Sequence, residues 1–262
     1  MAGFRDGAEQ RCRSIAGYRR ALSEPAVLSS GAAHRHGIFT GDHLQTATGE
    51  AILHAIGHAS VAVTWSGKVL YSDPSGVASL FTGLPLADVV VVTHAHSDHF
   101  STTRLAAVLG TNGVIFAPQS VYNGMTSALK AKTTILANGA SATAAGMTIL
   151  AVPMYNLSNS NHPQGVGNGY VITLGGKTIY FSGDTEDTPE MRALTNIDAA
   201  FVCMSLPSNM TVQQAASAVR AFRPGMVFPY HYAQGGTTYD VALFKTLVGN
   251  DLGIEVRQRK FY

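Results

Sequence analysis

The segment Val92-Thr93-His94-Ala95-His96-Ser97-Asp98-His99 is the most informative part of the sequence. It places three histidines and an aspartate directly after residues 88–93, an apolar run typical of a strand buried on both faces. From extended backbone, His94 and His96 can point the same way, and Asp98 and His99 can then face a second position. Imidazole and carboxylate groups bind zinc, and also iron or manganese. We interpret the segment as metal-ligating because these side chains bring no evident benefit to folding.

Three further candidate ligands lie outside this segment. Asp184, in Ser182-Gly183-Asp184-Thr185, follows a strongly apolar predicted strand, and a carboxylate there can bridge two cations. His231, in Tyr230-His231-Tyr232, follows the predicted strand 226–229, and His162 lies in the polar loop 156–168. Each alone is more typical of an ordinary turn, loop or core residue. Their recurrence at strand ends indicates one composite site.

The surrounding pattern predicts a layered α/β fold. Hairpins are indicated by Ser66-Gly67 between residues 59–65 and 68–72, and by Gly175-Gly176 between residues 170–174 and 177–181. Further strands are predicted at 88–93, 114–117, 133–136, 147–152, 197–204, 226–229 and 254–257, and helices at 119–129, 211–222 and 241–247. The longest of these helices opens with a capping box formed by Thr211 and Gln214. Two similar halves of strands and helices imply sheets inside and helices outside.

Residues 1–48 differ from the rest of the chain. They are polar, aperiodic and broken by Gly, Ser and Pro, so we predict a flexible N-terminal extension over 1–48 and one domain over 49–262. The extension contains His34, His36 and His43, for which solvated loop positions are favoured over a metal site. Its arginines are not followed by an apolar signal-peptide core, which favours a cytoplasmic location.

Composition excludes several classes of protein. With 46% hydrophobic and 13% charged residues, the chain is too apolar to be disordered. A formal charge of +2 without a polybasic run disfavours nucleic acid as a partner, and the absence of 18 consecutive apolar residues excludes a membrane-spanning helix. Cys12 and Cys203 form no disulfide framework, and Cys203 is interpreted as a small buried hydrophobe.

These motifs resemble a known family. His94-Ala95-His96-Ser97-Asp98-His99 resembles the HxHxDH signature of the metallo-β-lactamase superfamily. Gly183-Asp184-Thr185 resembles its later Asp motif, and Pro229-Tyr230-His231 resembles its final His motif. Gly57-His58-Ala59-Ser60 with Tyr71-Ser72-Asp73-Pro74, together with the segments around Tyr155, His162 and Tyr170, resembles the branch that includes the ascorbate-phosphate lactonase UlaG. The resemblance covers residues 51–262.

The resemblance implies a four-layer αββα sandwich with a dinuclear site at one edge of its two sheets. In this arrangement His94, His96 and His162 hold one divalent ion, zinc by preference. Asp98, His99 and His231 hold the other, and Asp184 bridges the two. Some relatives place the third histidine where this chain has Asn156, so His162 is assigned by elimination as well as by likeness.

Five other residues are candidates for a supporting role. His58 is a candidate for contact with substrate or with a metal ligand, and Asp73 for accepting a hydrogen bond from a ligating imidazole, which fixes its tautomer. Turn positions are equally compatible with both. Tyr155, Asn156 and Tyr232 are candidates for lining the pocket.

The implied activity is metal-dependent hydrolysis of a small molecule. A hydroxide between two divalent ions would attack a carbonyl centre (lactone, ester or amide) or a phosphodiester, with Asp98 orienting the nucleophile. One alternative is a diiron or mononuclear-iron redox enzyme on the same fold, which metal identity distinguishes. The other is a metal-binding protein without turnover. Neither the substrate nor the oligomeric state follows from the sequence.

Overall fold

A computed structural model describes residues 40–262 of the chain, and the first half of these residues forms a seven-stranded sheet. Its strands are β1 (Asp42–Thr46), β2 (Gly49–Gly57), β3 (Ser60–Trp65), β4 (Lys68–Ser72), β5 (Ala87–Val91), β6 (Leu109–Ala117) and β7 (Thr133–Ile135). They lie in the sheet in chain order. The first four are antiparallel, and β5, β6 and β7 then continue the sheet in parallel from β4.

The second half of the described residues repeats this arrangement in another seven-stranded sheet. Its strands are β8 (Ser141–Ala144), β9 (Met147–Met154), β10 (Gly167–Leu174), β11 (Lys177–Phe181), β12 (Ala199–Cys203), β13 (Met226–Tyr230) and β16 (Glu255–Val256). The first four are again antiparallel and the last three continue in parallel from β11. Two short strands, β14 (Ala233–Gln234) and β15 (Thr237–Thr238), form a separate hairpin.

Helices cover the outer faces of both sheets. They are α1 (Thr102–Val108), α2 (Gln119–Asn123), α3 (Ser127–Lys130), α4 (Pro189–Arg192), α5 (Val212–Phe222) and α6 (Val241–Val248), with a 3₁₀ turn at Ala78–Phe81. Val90 packs with side chains of α1, α2 and α3 in one apolar cluster, whereas its neighbours Val89 and Val91 belong to the cluster shared with the second sheet. Because successive strand residues face opposite ways, Val90 faces the helices of the first half while Val89 and Val91 face the second sheet. The predicted αββα sandwich is confirmed.

Most predicted elements are present, but one predicted helix is wrong. The hairpins at Ser66-Gly67 and Gly175-Gly176 and the capping box of α5 are found as predicted. The helix expected over 119–129 is instead divided into α2 and α3. The interruption contains Gly124, and Thr126 begins the second helix by accepting a hydrogen bond from Leu129 N.

The predicted extension 1–48 contains a strand of the first sheet. Residues 1–39, with His34, His36 and Cys12, lie outside the described residues, but β1 falls within 40–48. Asp42, Leu44 and Thr46 are buried, while His43 is exposed and lies 2.9 Å from Glu50. The strand was missed because two of its three buried residues are polar. The predicted boundary at 48/49 therefore lies inside the β1–β2 hairpin.

Two other expectations concern single features. Cys203 is fully buried in β12, and burial raises the pKa of its thiol to about 12, as expected for a residue that packs rather than reacts. Among residues 40–262, every helix is too short or too polar to cross a bilayer.

Candidate metal centre

The candidate ligands lie where strands of both sheets end. The segment 92–99 follows β5, Asp184 follows β11, and His231 follows β13. Because β5 is parallel to β4 and β11 is parallel to β12 and β13, the carboxyl ends within each sheet lie at one edge. His162 reaches the same place from the loop between β9 and β10.

The first group of side chains consists of three histidines. His94 Nε2 lies 3.1 Å from His96 Nδ1, and His162 Nε2 lies 3.3 Å from the same atom. The ligand atoms of all three rings lie within 4.8 Å of one another. His94 and His162 are buried, while His96 is exposed. This is the grouping that the resemblance implies for one ion.

The second group consists of Asp98, His99 and His231, joined by His58. Their ligand atoms also lie within 4.8 Å of one another. Asp98 Oδ2 is 2.9 Å from His58 Nε2, 3.4 Å from His231 Nε2 and 3.9 Å from His99 Nε2. The sequence predicted three of these four as ligands and gave His58 only a supporting role.

Asp184 lies between the two groups. One of its oxygens is 3.2 Å from His99 Nε2, and the other is 3.5 Å from His162 Nε2 and 3.4 Å from His231 Nε2. The carboxylate is buried and contacts a histidine of the first group and two of the second. This is the position that a bridging carboxylate requires.

Several of these atoms are close together without being hydrogen-bonded. Among residues 40–262, His99 Nε2, His231 Nε2 and Asp184 Oδ1 are buried polar atoms that lack a hydrogen-bond partner. His99 Nε2 and Asp184 Oδ1 are 3.2 Å apart, so the distance is short but the direction is wrong for a hydrogen bond. Buried polar atoms are nearly always paired. Atoms that instead point toward a shared space fit a bound cation.

The opposite nitrogen of each buried ring is held by a neighbour. Thr93 Oγ1 lies 3.0 Å from His94 Nδ1, and Asp73 Oδ2 lies 2.8 Å from His99 Nδ1. Ser205 Oγ lies 3.0 Å from His231 Nδ1, and Asn156 Oδ1 lies 3.2 Å from His162 Nδ1. Such contacts orient metal-ligating histidines in other proteins. In this chain they leave each Nε2 free to face the centre.

The charge states also suit a cation. Burial lowers the pKa of His94 and of His162, so both rings are neutral at pH 7 and keep a lone pair for a metal. Burial would raise the pKa of Asp184, but His231 and His99 outweigh it and hold that pKa well below its ordinary value. A neutral His162 therefore lies beside an ionised Asp184. At His99, by contrast, burial is outweighed by Asp184 and Asp73, which hold the pKa of that ring well above its ordinary value.

Three non-glycine residues at this centre adopt a left-handed backbone conformation. His58, Asp73 and His231 have φ values of 52°, 45° and 47°, in the left-handed region that side chains other than glycine rarely adopt. Gly183 has a φ of 60°, and a Cβ there would lie 2.5 Å from Met154 Sδ. The turn that presents Asp184 therefore requires glycine for both conformation and space.

Some of the residues predicted to support the centre contact a proposed ligand, and others bond elsewhere. Asp73 contacts His99 and accepts hydrogen bonds from the backbone and hydroxyl of Thr93, both at 2.7 Å. Asn156 contacts His162 through its side-chain oxygen. The hydroxyl of Tyr155 donates to Glu190, and that of Tyr232 donates to the Arg259 carbonyl, so neither hydroxyl donates to a proposed ligand.

Sequence reasoning missed three residues beside the centre. Tyr262 contacts His58 Nδ1 through its hydroxyl at 2.6 Å, and Ser205 contacts His231. Asn209, with its amide oriented to satisfy all its neighbours, donates to Asp184 Oδ2 at 3.3 Å. The capping box at Thr211 begins two residues after Asn209, but no local sequence pattern predicts that any of these three residues lies beside the centre.

Comparisons with known proteins agree with this geometry. Residues 53–231, more than half of the chain, match the beta-lactamase superfamily domain. A UPF0173 metal-dependent hydrolase of Pyrococcus abyssi is 31% identical over 219 residues, which cover 77% of this chain and 93% of that relative.

Two solved structures are similar to this chain in sequence and in fold. A protein of Parabacteroides distasonis, described as a metal-dependent hydrolase, is 36% identical with a TM-score of 0.75, covering 85% of this chain and 99% of its own. A metallo hydrolase of the archaeon Ignicoccus hospitalis is 25% identical with a TM-score of 0.66, covering 79% and 94%. The strand-end histidines and aspartates, the αββα layers and these relatives together show that the chain belongs to the beta-lactamase superfamily and is a metal-dependent hydrolase.

Proposed function

We propose that this hydrolase uses two divalent cations, zinc by preference, to hydrolyse a carbonyl centre (lactone, ester or amide) or a phosphodiester in a small molecule. The observation that carries the proposal is the convergence of His99 Nε2, His231 Nε2 and Asp184 Oδ1, which are buried without hydrogen-bond partners. The three histidines and one aspartate that complete the proposed ligand set are donor types that zinc prefers. Seven ligands in two groups are enough for two ions.

We assign the ligands as the two groups described above. His94, His96 and His162 hold one cation, Asp98, His99 and His231 hold the other, and Asp184 contacts both. Two divalent cations bound in this way supply a nucleophilic hydroxide from water near neutral pH and polarise the electrophile. The protein's own contribution is to hold the ligands at fixed spacing, which Thr93, Asp73, Asn156 and Ser205 support.

Asp98 is the proposed catalytic residue. Its side chain is 46% exposed, whereas Asp184 is buried, so Asp98 is the carboxylate that can reach a substrate. Burial would raise the pKa of Asp98, but His231 and His58 outweigh it and lower that pKa below its ordinary value. A carboxylate with a low pKa is a weak base. We therefore assign Asp98 to orienting the attacking water by accepting its hydrogen bond.

We further propose that the chain is similar in subsite layout to the UlaG-like branch. The support is local: His58 and Asp73, from the two motifs that carry that resemblance, contact Asp98 and His99 respectively. Each motif thus contributes one residue that contacts a proposed ligand.

Metal analysis tests the proposal, followed by chromogenic substrates. The purified chain is expected to hold two divalent ions and to hydrolyse at least one ester, lactone, amide or phosphodiester from a panel. Fewer than one ion per chain after gentle purification would contradict the dinuclear assignment. Two iron ions with no hydrolysis of any panel member would favour the redox alternative.

A further inference from the structure

An apolar groove lies beside His58, next to the proposed metal centre. We call it the His58 groove; its volume is about 490 Å³, and most of its wall is formed by Ile56, His58, Val77, Leu80, Phe261 and Tyr262. Pockets that bind small molecules usually have volumes of roughly 300–1,000 Å³. The His58 groove is therefore large enough to hold much of a small substrate.

The groove and the metal centre share a wall. In that wall His58 Nε2 lies 2.9 Å from Asp98 Oδ2. Ser75 also lines the groove, and its hydroxyl donates to the backbone carbonyl of Asp98. A substrate whose reacting group lies at Asp98 can therefore place the adjoining part of the molecule in the groove.

The character of the groove is apolar. Val77 is 63% exposed and Leu80 is 41% exposed, and both lie beside Ile56 and Phe261. Single exposed apolar side chains are common on proteins, but several that line one concave surface mark a binding site. Lys260 is the one lysine or arginine among the described lining residues. The matching ligand is therefore uncharged along most of its length.

Both walls of the groove are held in place. On one side, Arg104 donates to the Gly76 carbonyl at 3.1 Å, and its guanidinium lies 5.2 Å from the ring centre of buried Phe81. On the other side, His58 N donates to the Phe261 carbonyl at 2.8 Å. A preformed groove loses little ordering entropy when a ligand binds.

The cavity beside the first group of histidines is much smaller than the groove. A cavity lined by His94, His96 and His162 has a volume of about 90 Å³, less than a fifth of the volume of the groove. The bulk of a substrate therefore fits on the His58 side.

We infer that the His58 groove binds an apolar acyl or alkyl chain attached to the group that is hydrolysed. The inference rests on the proposed function because it names the substrate class of the same centre. Burying one methylene group improves binding by up to about fourfold, which follows from a transfer free energy of roughly 0.8 kcal/mol. Affinity and kcat/KM should both rise with chain length until the groove is filled.

The test uses two series of probes on the metal-loaded full chain. The first is turnover of p-nitrophenyl esters and alkyl p-nitrophenyl phosphodiesters from two to ten carbons. The second is calorimetric binding of linear carboxylates from butanoate to decanoate, which needs no turnover. In the wild-type chain, kcat/KM and affinity are expected to rise by about two- to fourfold per methylene over part of each series.

Two variants place polar groups in the groove, and one matched variant does not. Val77→Thr and Leu80→Gln change exposed residues, so both should fold, and each should flatten the rise with chain length. Leu243→Gln makes the same chemical change at a 37% exposed site on α6, outside the groove, and should keep the wild-type slope.

The outcomes separate the groove from the reaction. A rise in carboxylate affinity with chain length that Leu80→Gln abolishes, without hydrolysis of any ester or diester, supports the groove and contradicts the proposed reaction. Hydrolysis of short esters with flat slopes in both series supports the reaction and overturns the groove. If Leu80→Gln changes the oligomeric state and leaves both slopes intact, the groove is a contact between copies of the chain and the inference is wrong.

Discussion

At the scale of single residues, Asp184 is the side chain whose loss should matter most. It contacts His99, His162 and His231, and so it links both groups of proposed ligands. Asp184→Asn keeps the shape but removes the charge that offsets two neighbouring cations. We expect this variant to lose bound metal and to lower kcat by more than about 100-fold, beyond the usual cost of losing a supporting residue.

The comparison variant is His58→Ala. His58 contacts Asp98 but has a second partner in Tyr262, so we expect a loss of about 10–100-fold with metal retained. Metal content and kcat are measured for both variants on the same substrate. An Asp184→Asn protein with two ions and most of its activity, beside an inactive His58→Ala protein, would reverse these roles.

Asp73 provides a second prediction at this scale. Its carboxylate is buried, contacts His99 Nδ1 and accepts two hydrogen bonds from Thr93. Asp73→Asn weakens the hold on one ligand ring, so metal affinity should fall by about 10–100-fold. A competition titration with a chelator measures this change.

The matched control for Asp73→Asn is Asp88→Asn. Asp88 also accepts a hydrogen bond from a backbone amide, that of Val69 at 3.0 Å, but it lies at the start of β5, away from the ligands. This variant should leave metal affinity unchanged. Equal losses of affinity in the two variants would show that the effect of Asp73 is on stability in general.

At the scale of elements, each half of the domain contains a lysine–aspartate ion pair that the sequence pattern did not predict. After the β3–β4 turn, Lys68 pairs with Asp88 at the start of β5, at 3.3 Å. After the β10–β11 turn, Lys177 pairs with Asp198 at 2.8 Å, just before β12. Each aspartate also accepts a backbone amide from the strand of its lysine. Both halves thus join an antiparallel hairpin to a parallel strand in the same way.

Strand β1 is tied to the other sheet through Asp42. This buried carboxylate accepts hydrogen bonds from Arg257 at 2.6 Å and from Arg259 Nε at 2.7 Å. Both arginines lie in the segment that follows β16. Burial would raise the pKa of Asp42, but the bonds from Arg259 and Arg257 outweigh it and lower that pKa below its ordinary value. Asp42 and the two arginines therefore link the β1 edge of the first sheet to the β16 edge of the second.

This link predicts a pH dependence of stability. Because the pKa of Asp42 is lower in the folded state, its contribution is complete above the unfolded value of about 3.9 and is lost as pH falls through the folded value. We expect Asp42→Asn to cost about 1–2 kcal/mol of unfolding free energy at pH 7, less than a fully buried pair because both arginines are partly exposed. The difference from wild type should shrink below about pH 4.

Urea unfolding at several pH values measures the effect of Asp42→Asn. The control is Glu255→Gln, which removes another carboxylate partner of Arg257 that is 56% exposed, and it should cost less than about 0.5 kcal/mol. A difference between wild type and Asp42→Asn that stays constant from pH 7 to pH 3 would contradict the assignment.

At the scale of the whole molecule, the sequence predicts what local patterns encode. The hairpins follow from Ser66-Gly67 and Gly175-Gly176, and six of the seven proposed ligands follow from polar side chains at the ends of apolar runs, whereas His162 lies in a polar loop. Tyr262 could not be predicted in the same way, because its contact with His58 spans 204 positions and depends on how the last segment packs beside His58. Strand β1 was not predicted because two of its three buried residues, Asp42 and Thr46, are polar.

The last prediction concerns where the folded domain begins. The sequence pattern predicts that residues 1 to about 45 are dispensable for metal binding, and this stays a prediction; β1 begins inside that range, and residues 1–39 lie outside the described residues. A chain that starts at Thr40 keeps Asp42, the buried Leu44, and Thr46, whose hydroxyl oxygen accepts a hydrogen bond from Trp65 Nε1 at 3.1 Å. We expect this chain to retain its metals and to unfold cooperatively.

A chain that starts at Gly49 lacks β1 and leaves β2 as an exposed edge, because β1 pairs with β2 over residues 42–46. It also leaves Arg257 and Arg259 without Asp42 and opens the apolar surface that Leu44 covers. We expect it to melt at least several degrees lower than the chain from Thr40, since a loss of about 1–2 kcal/mol shifts Tm by roughly 2–8 °C in a domain of this size. The proposed ligands all lie beyond Gly49, so at temperatures where both chains are folded they should bind the same number of ions. Calorimetry with metal analysis on the two chains decides the matter: equal melting temperatures would show that β1 adds no stability, and loss of metal from the folded shorter chain would show that the edge strand supports the centre itself.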